Sequence, residues 1–211
     1  MKAKAVVIDF DGTITTEDIS DLLAKTVGKQ VESMELNRQF WEGSLTGLSG
    51  LVQRINFLKG ITKQDLEELV EKSDYLRDGA YELFDYLRSN GIISIIASGS
   101  VLPLLEIYQE KLGADYLVGS RPKMIEDTII SISEKEYSSP NFKLVDSKAI
   151  LERLGVGEES VVSIGDSPAD RSLFDYAALS IAVAPKAGIE QFTDYAVKDD
   201  LNEVIGILKN L

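Results

Sequence analysis

Apolar positions near the start of the chain change their spacing abruptly. Residues 4–8 form a short apolar run closed by a Gly-containing turn, which is typical of a strand buried on both faces. From residue 15 to residue 75 the apolar positions recur at helical spacing, and no strand pattern interrupts them. We therefore predict a helical lobe directly after the first strand, with helices over 15–28, 30–42 and 48–58 and a fourth that starts after Thr62.

From residue 78 onward, buried strand patterns alternate with helical ones. Strands are predicted at 92–97, 115–118, 161–164, 180–184 and 195–197, with a hairpin within 122–139. Strands that alternate with helices form βαβ units and a parallel sheet. The prediction is an α/β fold: a doubly wound, Rossmann-like, mostly parallel sheet from residues 1–14 and 76–211, with residues 15–75 inserted as a small α-helical cap.

Polar residues suited to chemistry follow several of the buried strands. Asp9 and Asp11 follow the first strand, Ser98 and Gly99 follow the second, and Asp166 follows a later one. Ligands of open α/β sheets bind at the carboxyl ends of the strands, and right-handed crossovers bring neighbouring ends to one edge. These residues are therefore expected to converge on one site.

The acid pair after the first strand points to a metal ion. Phe10 separates Asp9 from Asp11, so an extended chain turns both carboxylates to the same side. Two acids at the end of a buried strand repel each other and lose hydration, which a divalent cation such as Mg²⁺ offsets. The alternative is an Asx-Gly turn whose acids are merely solvated.

Composition narrows the possible partners and the compartment. The net charge of −13 and the pI near 4.5 argue against a nucleic-acid partner, because phosphate backbones are bound by Lys and Arg. No apolar run approaches the roughly 18 residues of a membrane span, and the first apolar run is too short for a signal peptide. We expect a cytoplasmic protein that acts on a small molecule.

The chain contains no Cys and no His. Thiolate nucleophiles, Ser-His-Asp triads and imidazole or thiolate zinc sites are therefore excluded. Any catalysis must use carboxylates, Lys, Arg, Ser, Tyr and a hard metal ion.

The motifs at the strand ends resemble those of a known family. Asp9-Phe10-Asp11-Gly12-Thr13, then Ser98-Gly99, a Lys, and Gly165-Asp166-Ser167-Pro168-Ala169-Asp170 resemble, in this order, the four motifs of the haloacid dehalogenase-like (HAD) phosphatases. The helical lobe after the first motif is similar to the C1 cap of the phosphoserine-phosphatase-like branch. The resemblance covers about residues 4–200 and implies a hydrolase of phosphoric monoesters.

This resemblance implies a role for each acid. Asp9 is expected to attack phosphorus and form an aspartyl-phosphate, and Asp11 to act as general acid and then general base. It implies Mg²⁺ bound by the Asp9 carboxylate, the Asp11 backbone carbonyl and the Asp166 carboxylate, with Asp170 in the outer shell. Asp166 and Asp170 also fit a turn acid and a helix-dipole acid.

The phosphoryl group is expected to meet Ser98, the backbone N–H groups around Gly12 and Gly99, and a lysine. The resemblance favours Lys148 as the catalytic, phosphate-binding lysine, with Lys143 as its rival. Taken alone, the Ser-Gly pair also fits a strand-to-helix turn with a serine N-cap.

The cap is expected to select the substrate. The resemblance implies that Arg54 binds a substrate carboxylate, and that Asp18, with Glu17 beside it, engages an amino group. Arg54 also fits a solvated residue on the flank of a helix. Gly12 stands where phosphoserine phosphatases usually have Ser, and Ala169 where they have Asn. Phosphoserine is the leading substrate, ahead of other small phosphorylated metabolites.

Other functions share these motifs. The first and last motifs also resemble a capped phosphatase of methionine salvage that acts on an enol phosphate, and a phosphotransferase or mutase on this fold would use the same acid pair. A non-catalytic phospho-acceptor is disfavoured, because receiver domains place their acceptor after a later strand and lack an inserted lobe.

Overall fold

A six-stranded parallel sheet forms the centre of the structure, a computed structural model that describes residues 2–211. Its strands are β1 (Ala5–Ile8), β2 (Ile93–Val101), β3 (Tyr116–Ser120), β6 (Val161–Gly165), β7 (Leu179–Val183) and β8 (Tyr195–Val197), and a separate antiparallel hairpin consists of β4 (Lys123–Ile125) and β5 (Thr128–Ser131). The sheet order is β3-β2-β1-β6-β7-β8, and each neighbouring pair is parallel. The predicted doubly wound α/β fold is confirmed.

Helices cover both faces of this sheet. They are α1 (Ile19–Thr26), α2 (Gln30–Trp41), α3 (Ser49–Phe57), α4 (Lys63–Lys72), α5 (Ala80–Ser89), α6 (Leu102–Leu112), α7 (Phe142–Arg153), α8 (Arg171–Tyr176) and α9 (Leu201–Leu208). Side chains alternate along β1, so Val6 and Ile8 join a core with α5, α6 and α9, whereas Ala5 and Val7 join another with α7 and α8. Within residues 2–211, no helix is both long enough and apolar enough to cross a membrane.

The order in which successive strands are added to the sheet reverses at β1: β2 and β3 lie on one side of it, and β6, β7 and β8 on the other. This strand pairs with β2 on one side and with β6 on the other, and Ile8 lies in register with Ile96 and Ile164. Such a reversal is the place where open α/β sheets bind their ligands, at the carboxyl ends of the strands. The residues that follow β1, β2 and β6 therefore leave the sheet at the same edge.

In the sequence, helices α1 to α4 fall between Thr15 and Leu76, and these two residues form an isolated antiparallel bridge. Asp18 caps α1 by accepting a hydrogen bond from the Asp21 N–H, and Thr62 caps α4 in a reciprocal capping box. We keep residues 15–75 as the proposed boundaries of the cap. The first residue of the predicted 1–14 segment lies outside the described residues.

Two features of the fold were not in the sequence prediction. Strand β2 continues through Ser98-Gly99-Ser100 to Val101, so this stretch is strand rather than a serine-capped turn, and the N-cap of α6 is Val101. The β4–β5 hairpin also bonds to the cap: the Gly60 N–H donates to the Ile129 carbonyl at 2.8 Å, and the Ile129 N–H donates to the Ile61 carbonyl at 2.9 Å. The cap is thus attached to the core through this hairpin as well as through its two connections.

Candidate active site

The loop after β1 carries the two predicted aspartates. The Asp9 N–H donates to the Ile164 carbonyl of β6 at 2.8 Å, so Asp9 continues the strand. The chain then makes an irregular turn in which Gly12 has a φ of +82°. A Cβ at Gly12 would collide with the carboxylate of Asp166, so the close approach of this loop to the end of β6 requires glycine.

A buried lysine joins aspartates from two strand ends. Lys143 Nζ, in the first turn of α7, lies 2.6 Å from Asp9 Oδ1 and 2.9 Å from Asp170 Oδ1. Asp170 Oδ2 accepts hydrogen bonds from the backbone N–H groups of Asp166 and Ser167, at 3.2 and 3.3 Å. Asp170 therefore positions both the lysine and the loop after β6.

Lys143 occupies the place that was predicted for Lys148. Lys148 is exposed, and its Nζ lies 5.3 Å from the centre of the Tyr176 ring. Helix α7 begins beside the strand ends, so its first turn faces the site, and five residues later an α-helix has turned by about 140° and advanced by about 7.5 Å. The prediction of Lys148 as the catalytic, phosphate-binding lysine is wrong for this reason, and its rival Lys143 lies in the site.

Burial and repulsion alter the protonation of this cluster. Burial and the charge of Asp170 raise the pKa of Asp9 well above its usual range, against the opposing effect of Lys143. Burial and Asp170 also raise the pKa of Asp166 to about 6, with Lys186 opposing. Burial alone would lower the pKa of Lys143, but the carboxylates of Asp170 and Asp9 raise it above its usual value, so the lysine stays charged.

The acid cluster has the composition of a site for a divalent cation. Asp9, Asp166 and Asp170 can each offer one carboxylate oxygen so that these atoms lie within 4.8 Å of one another. Among residues 2–211, no hydrogen-bond donor of suitable geometry reaches the buried Asp166 Oδ2, although Lys186 Nζ lies 2.6 Å away. Hard divalent cations prefer oxygen donors of this kind, so the residues present fit such an ion.

Asp11 lies beside this cluster, with its carboxylate held by groups from two other elements. Its Oδ2 accepts hydrogen bonds from Ser100 Oγ at 2.6 Å and from Ser98 Oγ at 3.2 Å, and its Oδ1 accepts one from the Ile19 N–H at 2.8 Å. Burial and the charge of Asp18 raise the pKa of Asp11 to about 7. Asp11 can therefore hold or release a proton near neutral pH, as a general acid–base group must.

A cavity of about 470 Å³ lies between the cap and the strand ends. Its lining includes the polar residues Asp9, Asp11, Asp18, Arg54, Ser98, Lys143, Asp166 and Lys186, and the apolar residues Leu36, Phe40, Trp41, Leu48 and Leu51. Gly99 also lines it, and Leu51 packs so closely on Gly99 that a Cβ there would lie 3.1 Å from its side chain. Glu17 is exposed and does not line the cavity, so its predicted role beside Asp18 is wrong.

Arg54 and Asp18 form a polar network at the cap end of this cavity. Arg54 Nη2 lies 2.8 Å from Asp18 Oδ2 and 3.0 Å from Asp21 Oδ1. The Arg54 guanidinium also donates to Ser33 Oγ at 2.9 Å and to Asn37 Oδ1 at 2.7 Å. Burial alone would raise the pKa of Asp18, but the charge of Arg54 and the hydrogen bonds that Asp18 accepts from the Asp21 N–H, Arg54 and Asn37 bring it below its usual value. Arg54 is therefore not a solvated flank residue.

Ser100, Lys186 and Trp41 are among the cavity residues that the sequence prediction did not assign to the site. Ser100 lies two residues after Ser98 on β2, so strand alternation was the signal that both hydroxyls reach Asp11. Lys186 lies shortly after β7, and the rule that strand ends carry function also applies to it. Trp41, at the end of α2, has no comparable signal, because its place depends on how the cap packs.

The fold and the site define a class of enzyme in which a strand-end aspartate, a lysine and an acid cluster lie beneath a helical cap. A family model for haloacid dehalogenase-like hydrolases matches residues 6–175, and the chain belongs to this family. The predicted resemblance and the predicted class, a hydrolase of phosphoric monoesters, are confirmed by this match and by the relatives described next.

Similar proteins span the whole chain. The chain is 27% identical over 209 residues to a phosphoserine phosphatase of Methanocaldococcus jannaschii, with 99% of each chain covered. It is 28% identical over 206 residues to a phosphoserine phosphatase of Campylobacter jejuni subsp. doylei, covering 97% of this chain and 99% of that one. A solved phospho-aspartyl intermediate analogue of phosphoserine phosphatase superposes with a TM-score of 0.86 at 26% identity, covering 99% of this chain and 100% of that one.

Proposed function

We propose that this protein is a Mg²⁺-dependent phosphatase that hydrolyses a small phosphorylated metabolite through an aspartyl-phosphate, with phosphoserine as the first candidate substrate. The observation that carries the proposal is the meeting of Asp9, Lys143 and Asp166 at the strand ends, with Asp11 beside them. Phosphoryl transfer depends mainly on positioning and on stabilising charge, and this group of residues is suited to both.

In the first half-reaction, Asp9 is the nucleophile. Lys143 holds its Oδ1, whereas its Oδ2 accepts only a long hydrogen bond within residues 2–211, from the Thr13 hydroxyl at 3.4 Å, and is the oxygen that would attack phosphorus. The bond from phosphorus to the leaving oxygen breaks, and Asp11 donates its proton to that oxygen. Its pKa of about 7 supports this role, because a useful fraction of Asp11 is protonated at neutral pH.

In the second half-reaction, Asp11 accepts a proton from water as the water attacks the aspartyl-phosphate. Phosphate leaves, and Asp9 is released as a carboxylate. We propose that Ser98 and the N–H groups near Gly99 bind the phosphoryl oxygens, because both residues line the cavity beside Asp11. Lys143 stabilises the charge that develops next to Asp9.

The acid cluster supports a divalent cation as cofactor. Asp9, Asp166 and the backbone carbonyl of Asp11 would hold Mg²⁺, with Asp170 behind them. The ion would neutralise charge on the phosphoryl oxygens and keep Asp9 ionised despite its burial.

The polar network of the cap supports an amino-acid phosphate as substrate. Arg54 Nη1 carries two hydrogens and, within the described part of the chain, donates one hydrogen bond, to Asn37, so it can also face a substrate carboxylate. Asp18 lines the same part of the cavity and offers an acceptor for a substrate ammonium group. The phosphoserine phosphatases among the relatives make phosphoserine the first compound to test.

The test is phosphate release from a panel that contains L-phosphoserine, other small phosphate esters and an enol phosphate, with Mg²⁺ and with EDTA. We expect Mg²⁺-dependent turnover with L-phosphoserine as the best substrate, loss of turnover in Asp9→Asn, and no loss in the control Asp85→Asn, since Asp85 is an exposed residue of α5. Full activity of Asp9→Asn, or turnover in EDTA, would refute the mechanism. Faster turnover of the enol phosphate than of L-phosphoserine would replace the proposed substrate. Transfer of phosphate to an added alcohol in preference to water would replace the proposed hydrolysis by phosphotransfer.

A further inference from the structure

A buried arginine lies where the two connections between the core and the cap cross. Arg77 follows Leu76, the residue that bridges Thr15, and is only 5% exposed. Its backbone N–H donates to the Ile14 carbonyl at 2.8 Å, and the Thr16 N–H donates to the Tyr75 carbonyl at 2.9 Å. The first and second connections of the cap are therefore tied together at this point.

The guanidinium of Arg77 binds the loop that carries the catalytic aspartates. Its Nε donates to the Thr13 carbonyl at 2.8 Å, and its Nη2 donates to the Gly12 carbonyl at 2.7 Å and, more weakly, to the Thr15 carbonyl at 3.4 Å. Its Nη1 pairs with Asp199, whose side chain is 72% exposed. A single side chain thus holds three carbonyl groups of one short loop.

These carbonyl groups need such a partner because the loop is irregular. Asp11 and Gly12 have non-helical dihedral angles, so the turn does not form a regular hydrogen-bond ladder, and Gly12 is in the left-handed region. A buried carbonyl without a donor costs free energy comparable to a lost hydrogen bond. Arg77 supplies the donors and so selects this conformation of the loop over others.

The conformation of the loop sets the geometry of the reaction. Arg77 holds the carbonyl of the peptide between Gly12 and Thr13, and the Thr13 hydroxyl donates a long hydrogen bond to Asp9 Oδ2, at 3.4 Å. We infer that Arg77 is a positioning residue for the phosphatase reaction: it holds the loop that places Asp9 and Asp11, and it fixes the cap connections relative to that loop. The inference rests on the proposed function, in that the reaction it serves is the one proposed above.

The test compares Arg77→Lys and Arg77→Met with the control Arg88→Met. Arg88 lies on α5 and pairs with Asp85 in an exposed ion pair, so its replacement removes an arginine without touching the loop. Steady-state kinetics with p-nitrophenyl phosphate and hydrogen exchange of the amides of residues 10–17 are measured for each folded variant.

We expect kcat of Arg77→Met to fall by about 10- to 100-fold with KM within about twofold, because misplacing a reacting group by about 1 Å has effects of this size. Arg77→Lys should recover part of this loss, since a lysine reaches one carbonyl, and amide exchange in residues 10–17 should be faster in both variants. Arg88→Met should match the wild type. Unchanged kcat with a lowered melting temperature alone, or unchanged loop exchange, would overturn the inference.

Two safeguards keep the results interpretable. If Arg77→Met does not fold, Arg77→Lys decides by itself, because it keeps the charge and most of the volume of the side chain. If the wild type has no phosphatase activity, the proposed function fails, whereas hydrogen exchange of the loop still tests whether Arg77 holds it.

Discussion

Replacing Lys143 or Lys148 by methionine gives the sharpest test of the active-site geometry. Both lysines lie on α7, five positions apart, and methionine keeps a similar unbranched shape without the charge. Lys143→Met removes the cation from Asp9 and Asp170, at 2.6 and 2.9 Å. Lys148→Met removes only the contact of an exposed ammonium group with the Tyr176 ring, at 5.3 Å.

The expected magnitudes differ clearly. Removing one partner of a buried ion pair costs about 3–5 kcal/mol, because the other partner stays buried without compensation. For a protein of this size, about 1 kcal/mol lowers the melting temperature by about 2–4 °C, so Lys143→Met should lower it by about 6–20 °C. An exposed cation–π contact contributes about 0.5–1 kcal/mol, so Lys148→Met should change it by no more than about 4 °C.

The assay is thermal unfolding of the metal-free proteins by circular dichroism, together with phosphate release. The loss of melting temperature in Lys143→Met should be smaller at pH 5 than at pH 8. Burial raises the pKa values of Asp9 and Asp166, so both are more protonated at pH 5 and leave less uncompensated negative charge. Its turnover should fall by about 10²-fold or more, since a group that stabilises developing charge is lost. Equal effects of the two substitutions, or a larger one at Lys148, would refute the reasoning.

Three more predictions follow from the site. The pKa values of Asp11 and Asp166 are raised to about 7 and about 6 in the folded protein, so their contribution to stability is present at low pH and is lost as the pH rises through these values. The melting temperature of the metal-free protein should therefore fall between pH 5 and pH 8, and Mg²⁺ should reverse this fall. An alanine in the left-handed region costs about 1–2 kcal/mol, and Gly12→Ala should lower the free energy of unfolding by more than this, because the new Cβ would collide with Asp166. The same collision should abolish turnover. Gly28→Ala, with a φ of +70° and open space around it, is the control in urea unfolding and should keep full activity. Arg54→Lys should raise KM for L-phosphoserine by about tenfold and leave p-nitrophenyl phosphate within about threefold, and equal changes for both substrates would contradict a role in binding the carboxylate.

Local patterns in the sequence predict much of the fold and part of the site. Short apolar runs place the sheet strands to within a few residues, and helical spacing places the helices between them. The rule for strand ends brings Asp9, Asp11, Ser98 and Asp166 to one edge. Asp9 and Asp166 directly follow β1 and β6, Asp11 comes two residues after Asp9, and Ser98 lies in the second half of β2, so their positions depend mainly on the sheet. The order of the strands around β1 then completes the arrangement.

The positions of residues further from a strand end depend on tertiary packing, so patterns along the sequence do not predict them. The choice between Lys143 and Lys148 depends on where α7 begins and how it lies against the sheet, and the first turn of that helix faces Asp9. The contacts of Arg77 join a position after the cap to carbonyl groups before it. No spacing along the chain indicates that these groups meet.

Trp41 is the only tryptophan in the chain, and it lies at the edge of the cavity on the cap. Its ring faces Lys186 of the core, with Nζ 5.5 Å from the ring centre. Indole emission depends on nearby charge and on exposure to water, so the unlabelled protein carries an intrinsic optical reporter across its cap–core boundary. Ligands and metal ions that move Lys186, or that part the cap from the core, should therefore be detectable by fluorescence titration without a substrate assay.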